Sequence, residues 1–236
     1  MKSPKRLARI AGVLYLAVAI FAAFGEFLVR ASVYVPGDAA ATADRIAANP
    51  GLIRIGFMAD LAQVTCFLFV SMALYLLLRH VSIHVAQAMV IFVAVSVAMQ
   101  SVNLVPYFAA MLVATDASYP SALGADGADA LVLLLVDMHH YGFLIAQVFF
   151  GLWLLPLGYL AFRSGMFPRA LGVLLMIACF SYLIHLPFIF LWPGIGSALT
   201  GVIAIPAATG ELWMVFCLLI RGVKVSKQSE QVPAAA

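Results

Sequence analysis

Six apolar segments, each long enough to cross a membrane, constrain the fold of this chain more than any other feature. A transmembrane helix needs about 20 consecutive apolar residues, and the segments cover residues 10–28, 55–78, 85–114, 130–163, 170–192 and 198–220. Only 10% of the residues are charged, whereas a soluble domain carries about 25%. The sequence lacks the short segments of alternating apolar and polar residues that build outer-membrane barrels. The pattern therefore predicts an all-α, polytopic membrane protein with six transmembrane helices.

Basic residues are divided unevenly between the two ends of these segments. Ten of the 13 Lys and Arg residues fall on the side that holds both termini, and only Arg30, Arg45 and Arg54 fall on the other side. Because cytoplasmic loops carry the excess of positive charge, both termini are predicted to be cytoplasmic. The net charge of +3 then reflects topology, so the expected partner is the lipid bilayer and no nucleic-acid partner is predicted.

The connections predict one domain over residues 1–223, followed by a disordered cytoplasmic tail over residues 224–236. In the first outer connection, Asp38 precedes AAATADRIAA and Asn49-Pro50-Gly51 follows it. This arrangement is typical of an N-capped short helix that is stopped by proline. The helix is amphipathic and polar enough to lie on the membrane surface. Residues 115–129 contain three aspartates, Pro120 and several Gly and Ser residues, which predicts a loop.

Polar side chains inside the apolar segments are costly in hydrocarbon, so they need partners or a function there. A rise of about 1.5 Å per helical residue places most of them in the outer half of the membrane and Glu211 near its middle. If the helices form a bundle, these groups can converge on an outward-facing polar pocket. The candidate pocket residues are Glu26, Asp60, Asn103, Asp137, His140, Tyr141, Gln147, His185 and Glu211.

The fourth segment carries the densest polar pattern. Asp137, His140 or Tyr141, Leu144 and Gln147 recur at helical spacings and form one stripe. His139 is rotated by about 100° from His140, so it is expected to face elsewhere. Pro156 predicts a bend in this helix.

Three explanations of the polar set remain open. The first is structural, with carboxylates and histidines pairing across helices and holding the bundle together. The second is a pocket that binds or transports a small polar or amphipathic molecule, or a lipid. In that case Glu211 would lie beside a helix interruption at Pro206 and Gly210, because broken helices expose backbone groups where they line cavities.

The third explanation is a membrane-embedded metal-dependent hydrolase with His140, His185 and Asp60 or Asp137 as zinc ligands. A catalytic zinc needs about three protein ligands, yet the sequence contains no HEXXH and no clustered ligand motif. Haem ligation by His140 and His185 is a further alternative. Neither pattern is strong, so no cofactor is predicted and the residues favour a protein that is not an enzyme.

Several stretches together resemble a known family. They include RLARIAGVLYL, GDAAATADRI, IRIGFMADL, HHYGFLIAQVFFGLWLLPLGYL, RSGMFPRALG and GELWMVFCLLIRGV. The chain resembles domain-of-unknown-function family 4386 over about residues 6–223. The resemblance implies a polytopic helical protein of bacteria or archaea, here in the bacterial inner membrane. It implies no established activity, so it assigns no catalytic residue.

Overall fold

Eight helices make up most of the structure, a computed structural model that describes residues 4–223. In chain order they are α1 (Pro4–Val33), α2 (Ala39–Ala48), α3 (Pro50–Leu78), α4 (Ile83–Thr115), α5 (Ser118–Leu123), α6 (Ala125–Ser164), α7 (Arg169–Leu191) and α8 (Pro193–Arg221). All except α2 and α5 are long and apolar enough to cross a membrane. No strand occurs within residues 4–223. The predicted all-α fold with six candidate spans is confirmed, while the predicted tail at 224–236 lies outside the described residues.

The helix ends follow local sequence signals. A side-chain oxygen of Asp38 accepts a hydrogen bond from the backbone N–H of Ala41 over 2.9 Å, which caps the predicted helix α2. Gly165 ends α6 in a left-handed conformation (φ 68°), which glycine adopts at little steric cost. Pro193 occupies the first turn of α8, where a missing N–H leaves no helical bond unmade. The reversal between α7 and α8 is therefore very short.

The prediction of a loop over residues 115–129 is wrong for most of that stretch. It contains α5 and the beginning of α6, separated by Gly124 in a conformation with φ of 75°. Pro120 lies in the first turn of α5, so its missing N–H does not break the helix. Pro120 is therefore a poor signal for a loop, because only a proline deeper in a helix removes a helical hydrogen bond.

Helix α6 is longer than a bilayer requires. Its 40 residues extend over about 60 Å at the helical rise, roughly twice the hydrocarbon thickness. The helical pattern is interrupted at Trp153, three residues before Pro156, where proline disturbs the preceding turn. Trp153 itself keeps helical dihedral angles (φ −66°, ψ −24°), so the bend near Pro156 stays a prediction.

Two apolar clusters form the core. The terminal cluster lies near the chain ends and includes Tyr15, Phe67 and Trp153. The second, here called the α2 cluster, joins the ends of the long helices to α2 and includes Ile46 and Tyr107. The buried side of α2 therefore packs on the bundle. A location of its other side at the membrane surface stays a prediction.

Candidate functional site

A cavity of about 560 Å³, the larger cavity, separates the two apolar clusters. In α3, for example, the lining residues Asp60 and Val64 fall between Ile53 of the α2 cluster and Phe67 of the terminal cluster. The same order holds along α1, α4 and α6. Its size is that of ligand pockets, which span about 300–1,000 Å³. The cavity therefore lies at a level of the bundle, between the two clusters, where apolar packing is incomplete.

A charged triad lies at this cavity. The Nε of Arg30 donates to Glu26 over 2.9 Å, and Nη1 of Arg30 donates to Asp60 over 2.8 Å. All three residues line the cavity. Arg30 thus joins α1 to α3 through Asp60 and brings the candidates Glu26 and Asp60 together.

The backbone of α1 is adapted to this bridge. Residues Phe24–Arg30 form a π-helical segment, a rare geometry that is frequent at functional sites. At Gly25, an added Cβ would lie 2.6 Å from Oδ1 of Asp60. Only glycine therefore leaves room for the Asp60 carboxylate to approach α1 so closely.

A second polar contact joins α4 to α6. The side-chain amide of Asn103 donates to the backbone oxygen of His139 over 2.7 Å, and Nδ1 of His139 lies 2.9 Å from the backbone oxygen of Asn103. Both residues line the larger cavity. His139 and His140 line different cavities, as their rotation predicts, but it is His139 that lines the larger one: it is 5% exposed, whereas His140 is exposed. Gly142 permits this contact, because the Asn103 side chain occupies the space that a Cβ at Gly142 would fill.

Three glutamines complete the polar lining. Gln100 donates to Ser96 over 2.9 Å, whereas the side-chain amides of Gln63 and Gln147 make no hydrogen bond to any described residue. Gln63 is only 8% exposed. Gln147 is partly buried, and both amides line the cavity, so their donors and acceptors are available to a molecule inside it.

The smaller cavity, of about 300 Å³, adjoins the larger one and shares Gln147, Tyr182 and Thr200 with it. The candidates His140 and His185 line it. The Nε2 of His185 lies 3.1 Å from both the backbone oxygen of Gly196 and the hydroxyl of Thr200. His185 therefore links α7 to the beginning of α8.

Asp137 and Tyr141 line neither of these two cavities. The Tyr34 hydroxyl, just beyond α1, donates to Asp137 over 2.6 Å. Burial raises the pKa of Tyr34 well above its usual value, and the hydrogen bond to Asp137 raises it further. Tyr141 is 49% exposed and lies against Phe190, with ring centroids 6.1 Å apart. Asp137 and Tyr141 thus lie outside both cavities.

Glu211 also lies apart from the two cavities. The Tyr15 hydroxyl donates to it over 2.7 Å, joining α1 to α8. The expected helix interruption at Pro206 and Gly210 is wrong, since the helix continues through both residues. Glu211 is therefore part of an inter-helix contact, and no broken-helix backbone surrounds it.

The predicted metal ligands are distributed over different places. Asp60 lies at the larger cavity and is bonded to Arg30, whereas His140 and His185 line the smaller one. Across residues 4–223, no group of three or more His, Cys, Asp or Glu side chains is arranged to hold a metal. The donor arrangement gives the hydrolase alternative no support.

Several lining residues are not among the candidates predicted from the sequence, above all Arg30, Gln63, His139 and Thr200. Spacing could have found two of them. Arg30 is four residues from Glu26, and Gln63 is three residues from Asp60, so each shares a helix face with a predicted residue. Nothing in the sequence distinguishes the face of His139 from that of His140 without knowledge of the neighbouring helices.

A comparison with protein families gives one clear finding. A family model described as a domain of unknown function (DUF4386) matches residues 10–222. The chain belongs to this family. This match confirms the resemblance seen in the sequence. It includes all residues that line the two cavities of the DUF4386 protein. The DUF4386 chain matches no curated protein and no solved structure at a significant level.

Proposed function

We propose that this protein binds a small amphipathic molecule in the larger cavity. The observation that carries the proposal is the pairing of unused polar groups with an apolar wall. Gln63 and Gln147 are free to hydrogen-bond, while Ala22, Phe143 and Phe150 line the same space. A ligand with one polar end and one apolar end would satisfy both surfaces, because unpaired buried polar groups destabilise a fold.

Alanines on α1 create this space, so a larger side chain there would remove it. In the Ala22→Trp variant, the indole would occupy the cavity. The matched control is Ile20→Trp on the same helix, since Ile20 is 57% exposed and does not line the cavity. Both variants would be purified in nanodiscs beside the unsubstituted protein, and bound small molecules and lipids would be identified by mass spectrometry.

We expect a compound of defined mass in the unsubstituted protein and in Ile20→Trp, and its loss from Ala22→Trp. If all three folded proteins retained the same molecules in the same amounts, the binding proposal would be wrong.

A structural role is the second candidate, and the ion pairs and the Asn103–His139 contact favour it. The two roles differ in what they predict for a bound compound in a Gln63 variant, because Gln63 joins no helix to another among the described residues. If the polar residues only hold the bundle together, Gln63→Leu leaves stability unchanged or raised and changes nothing else. The binding proposal predicts the same stability together with loss of the bound compound. A stable Gln63→Leu protein that retains the compound would contradict the role given to Gln63 in binding, whereas the absence of any compound of defined mass from the unsubstituted protein would favour the structural role.

We further propose that the protein lies in the bacterial inner membrane with both termini in the cytoplasm. The ten-to-three division of Lys and Arg between the two sides supports this orientation. The triad of Glu26, Arg30 and Asp60 would then lie toward the outer face, because α1 runs from the cytoplasm and reaches Arg30 near its end.

A further inference from the structure

The formal charges of the ionisable side chains at the larger cavity do not sum to zero. They comprise one cation, Arg30, two carboxylates, Glu26 and Asp60, the imidazole of His139 and the uncharged phenol of Tyr182. With His139 uncharged, their formal charge is one negative unit. In a region of low dielectric constant, an excess charge is unfavourable unless a counter-charge is nearby. The cavity is therefore complementary to a molecule that carries a single positive charge.

The free hydrogen-bonding positions favour the same kind of molecule. Arg30 bonds to Oε2 of Glu26 and to Oδ2 of Asp60. The second oxygen of each carboxylate accepts no hydrogen bond from the described part of the chain. Two charged acceptors are thus left without a donor.

His139 adds a third acceptor. Its Nδ1 lies 2.9 Å from the Asn103 backbone oxygen and 3.3 Å from the Asn103 side-chain nitrogen, which already donates to the His139 backbone oxygen. The shorter distance favours an Nδ1–H that donates to the backbone oxygen of Asn103. Its Nε2 then carries a lone pair, and it bonds to no other residue within 4–223.

An amide and three aromatic rings add further binding groups to this cavity. Gln63 lines the cavity, is 8% exposed and has an amide without a hydrogen-bond partner in the described structure. Aromatic rings of Phe27, Phe143 and Phe150 line the same cavity, and aromatic faces attract cations. Apolar surface, acceptors and negative charge therefore occur around one cavity.

From this combination we infer the ligand class, which rests on the proposed binding function. The geometry points to an amphipathic organic amine in its protonated form. Its ammonium group donates to the free oxygens of Glu26 and Asp60, and its apolar chain lies against the phenylalanines. An anionic amphiphile of the same length would instead add a second negative charge, and an alcohol would leave the excess charge uncompensated.

Three probes that differ only in their head group test this inference: hexylammonium, 1-hexanol and hexanoate. Their binding to the nanodisc-embedded protein would be measured by isothermal titration calorimetry, with empty nanodiscs and the Ala22→Trp protein as blanks. We expect hexylammonium to bind about tenfold more tightly than hexanol, the equivalent of about 1.4 kcal/mol, and hexanoate to bind least.

Two variants examine the charge directly. Glu26→Gln removes one carboxylate, and because the Glu26 side chain is 55% exposed we expect the protein to remain folded. Its affinity for hexylammonium should fall about tenfold, with the hexanol affinity unchanged. The control is Asp44→Asn, an exposed carboxylate on α2 that does not line the cavity, which should change neither affinity.

The outcomes separate the two proposals. If hexanol or hexanoate binds as tightly as hexylammonium, and Ala22→Trp abolishes that binding, the amine inference is wrong and the binding function stands. If no probe binds, and no compound is lost from Ala22→Trp, both fail. The head-group ranking in the unsubstituted protein is decisive by itself, so the inference stays testable even if Glu26→Gln does not fold.

Discussion

At the scale of single residues, Arg30 stands out at the larger cavity because it pairs with two carboxylates. Its side chain is 17% exposed and is shared between Glu26 and Asp60, whose side chains are 55% and 10% exposed. A buried charge is tolerated when it is paired and hydrogen-bonded. The stability of the α1–α3 contact should therefore depend on the cation more than on either carboxylate.

Replacing Arg30 by glutamine should destabilise the protein, because it leaves two carboxylates close together without a counter-charge. We expect Arg30→Gln to lower the free energy of unfolding by about 2 kcal/mol. This is less than the roughly 3–5 kcal/mol of a fully buried pair, since Glu26 is half exposed. Unfolding would be followed by circular dichroism in detergent micelles.

The control is Arg54→Gln at an exposed position near the beginning of α3, which should change stability by less than about 0.5 kcal/mol. The double variant Arg30→Gln/Asp60→Asn should recover part of the loss, because it removes one of the two unpaired carboxylates. Equal effects of Arg30→Gln and Arg54→Gln would contradict the role given to the triad.

At the scale of elements, α6 shows what sequence periodicity can and cannot predict. Of the stripe predicted from Asp137, His140, Leu144 and Gln147, the last three line the smaller cavity, and only Gln147 also lines the larger one. The residues that line the larger cavity from α6 are His139, Phe143, Gln147 and Phe150, again at helical spacing. Periodicity gives the pattern of a face, whereas its orientation is set by the helices that pack on it.

The contact between α6 and α7 depends on two glycines. A Cβ at Gly158 would lie 2.6 Å from the backbone oxygen of Gly172, and a Cβ at Gly172 would lie 2.7 Å from that of Gly158. Small residues allow membrane helices to approach so closely. Leu157 and Leu171, next to the two glycines, belong to the terminal cluster, so the contact lies within that cluster.

Introducing a side chain into this contact should therefore separate the helices. We expect Gly158→Val to lower the free energy of unfolding by at least about 1–3 kcal/mol, the range for an overpacked core, because the obstacle is backbone. Gly201→Val on α8 is the matched control, since a Cβ at Gly201 would meet no atom within 4 Å. A similar loss of stability in both variants would show that valine itself, and not the contact, is responsible.

At the scale of the whole molecule, the sequence predicts the architecture well and the site only in part. Long apolar segments fix the number and order of helices because hydrocarbon tolerates little else. Of the predicted polar residues, Glu26, Asp60, Asn103 and Gln147 line the larger cavity. Glu211 does not, because its partner Tyr15 comes from a helix 196 residues away in sequence. Such partners follow from helix packing, which one sequence does not specify.

The orientation of the bundle in the membrane gives the last prediction. If both termini are cytoplasmic, α5 lies outside and the connection between α3 and α4 lies inside. Single cysteines can report this after Cys66, Cys179 and Cys217 are replaced by alanine. We expect a membrane-impermeant maleimide to label Ser121→Cys in intact cells, because Ser121 is exposed on α5. It should label His80→Cys, in the exposed turn after α3, only after lysis. The reverse pattern would place Glu26, Arg30 and Asp60 near the cytoplasmic face.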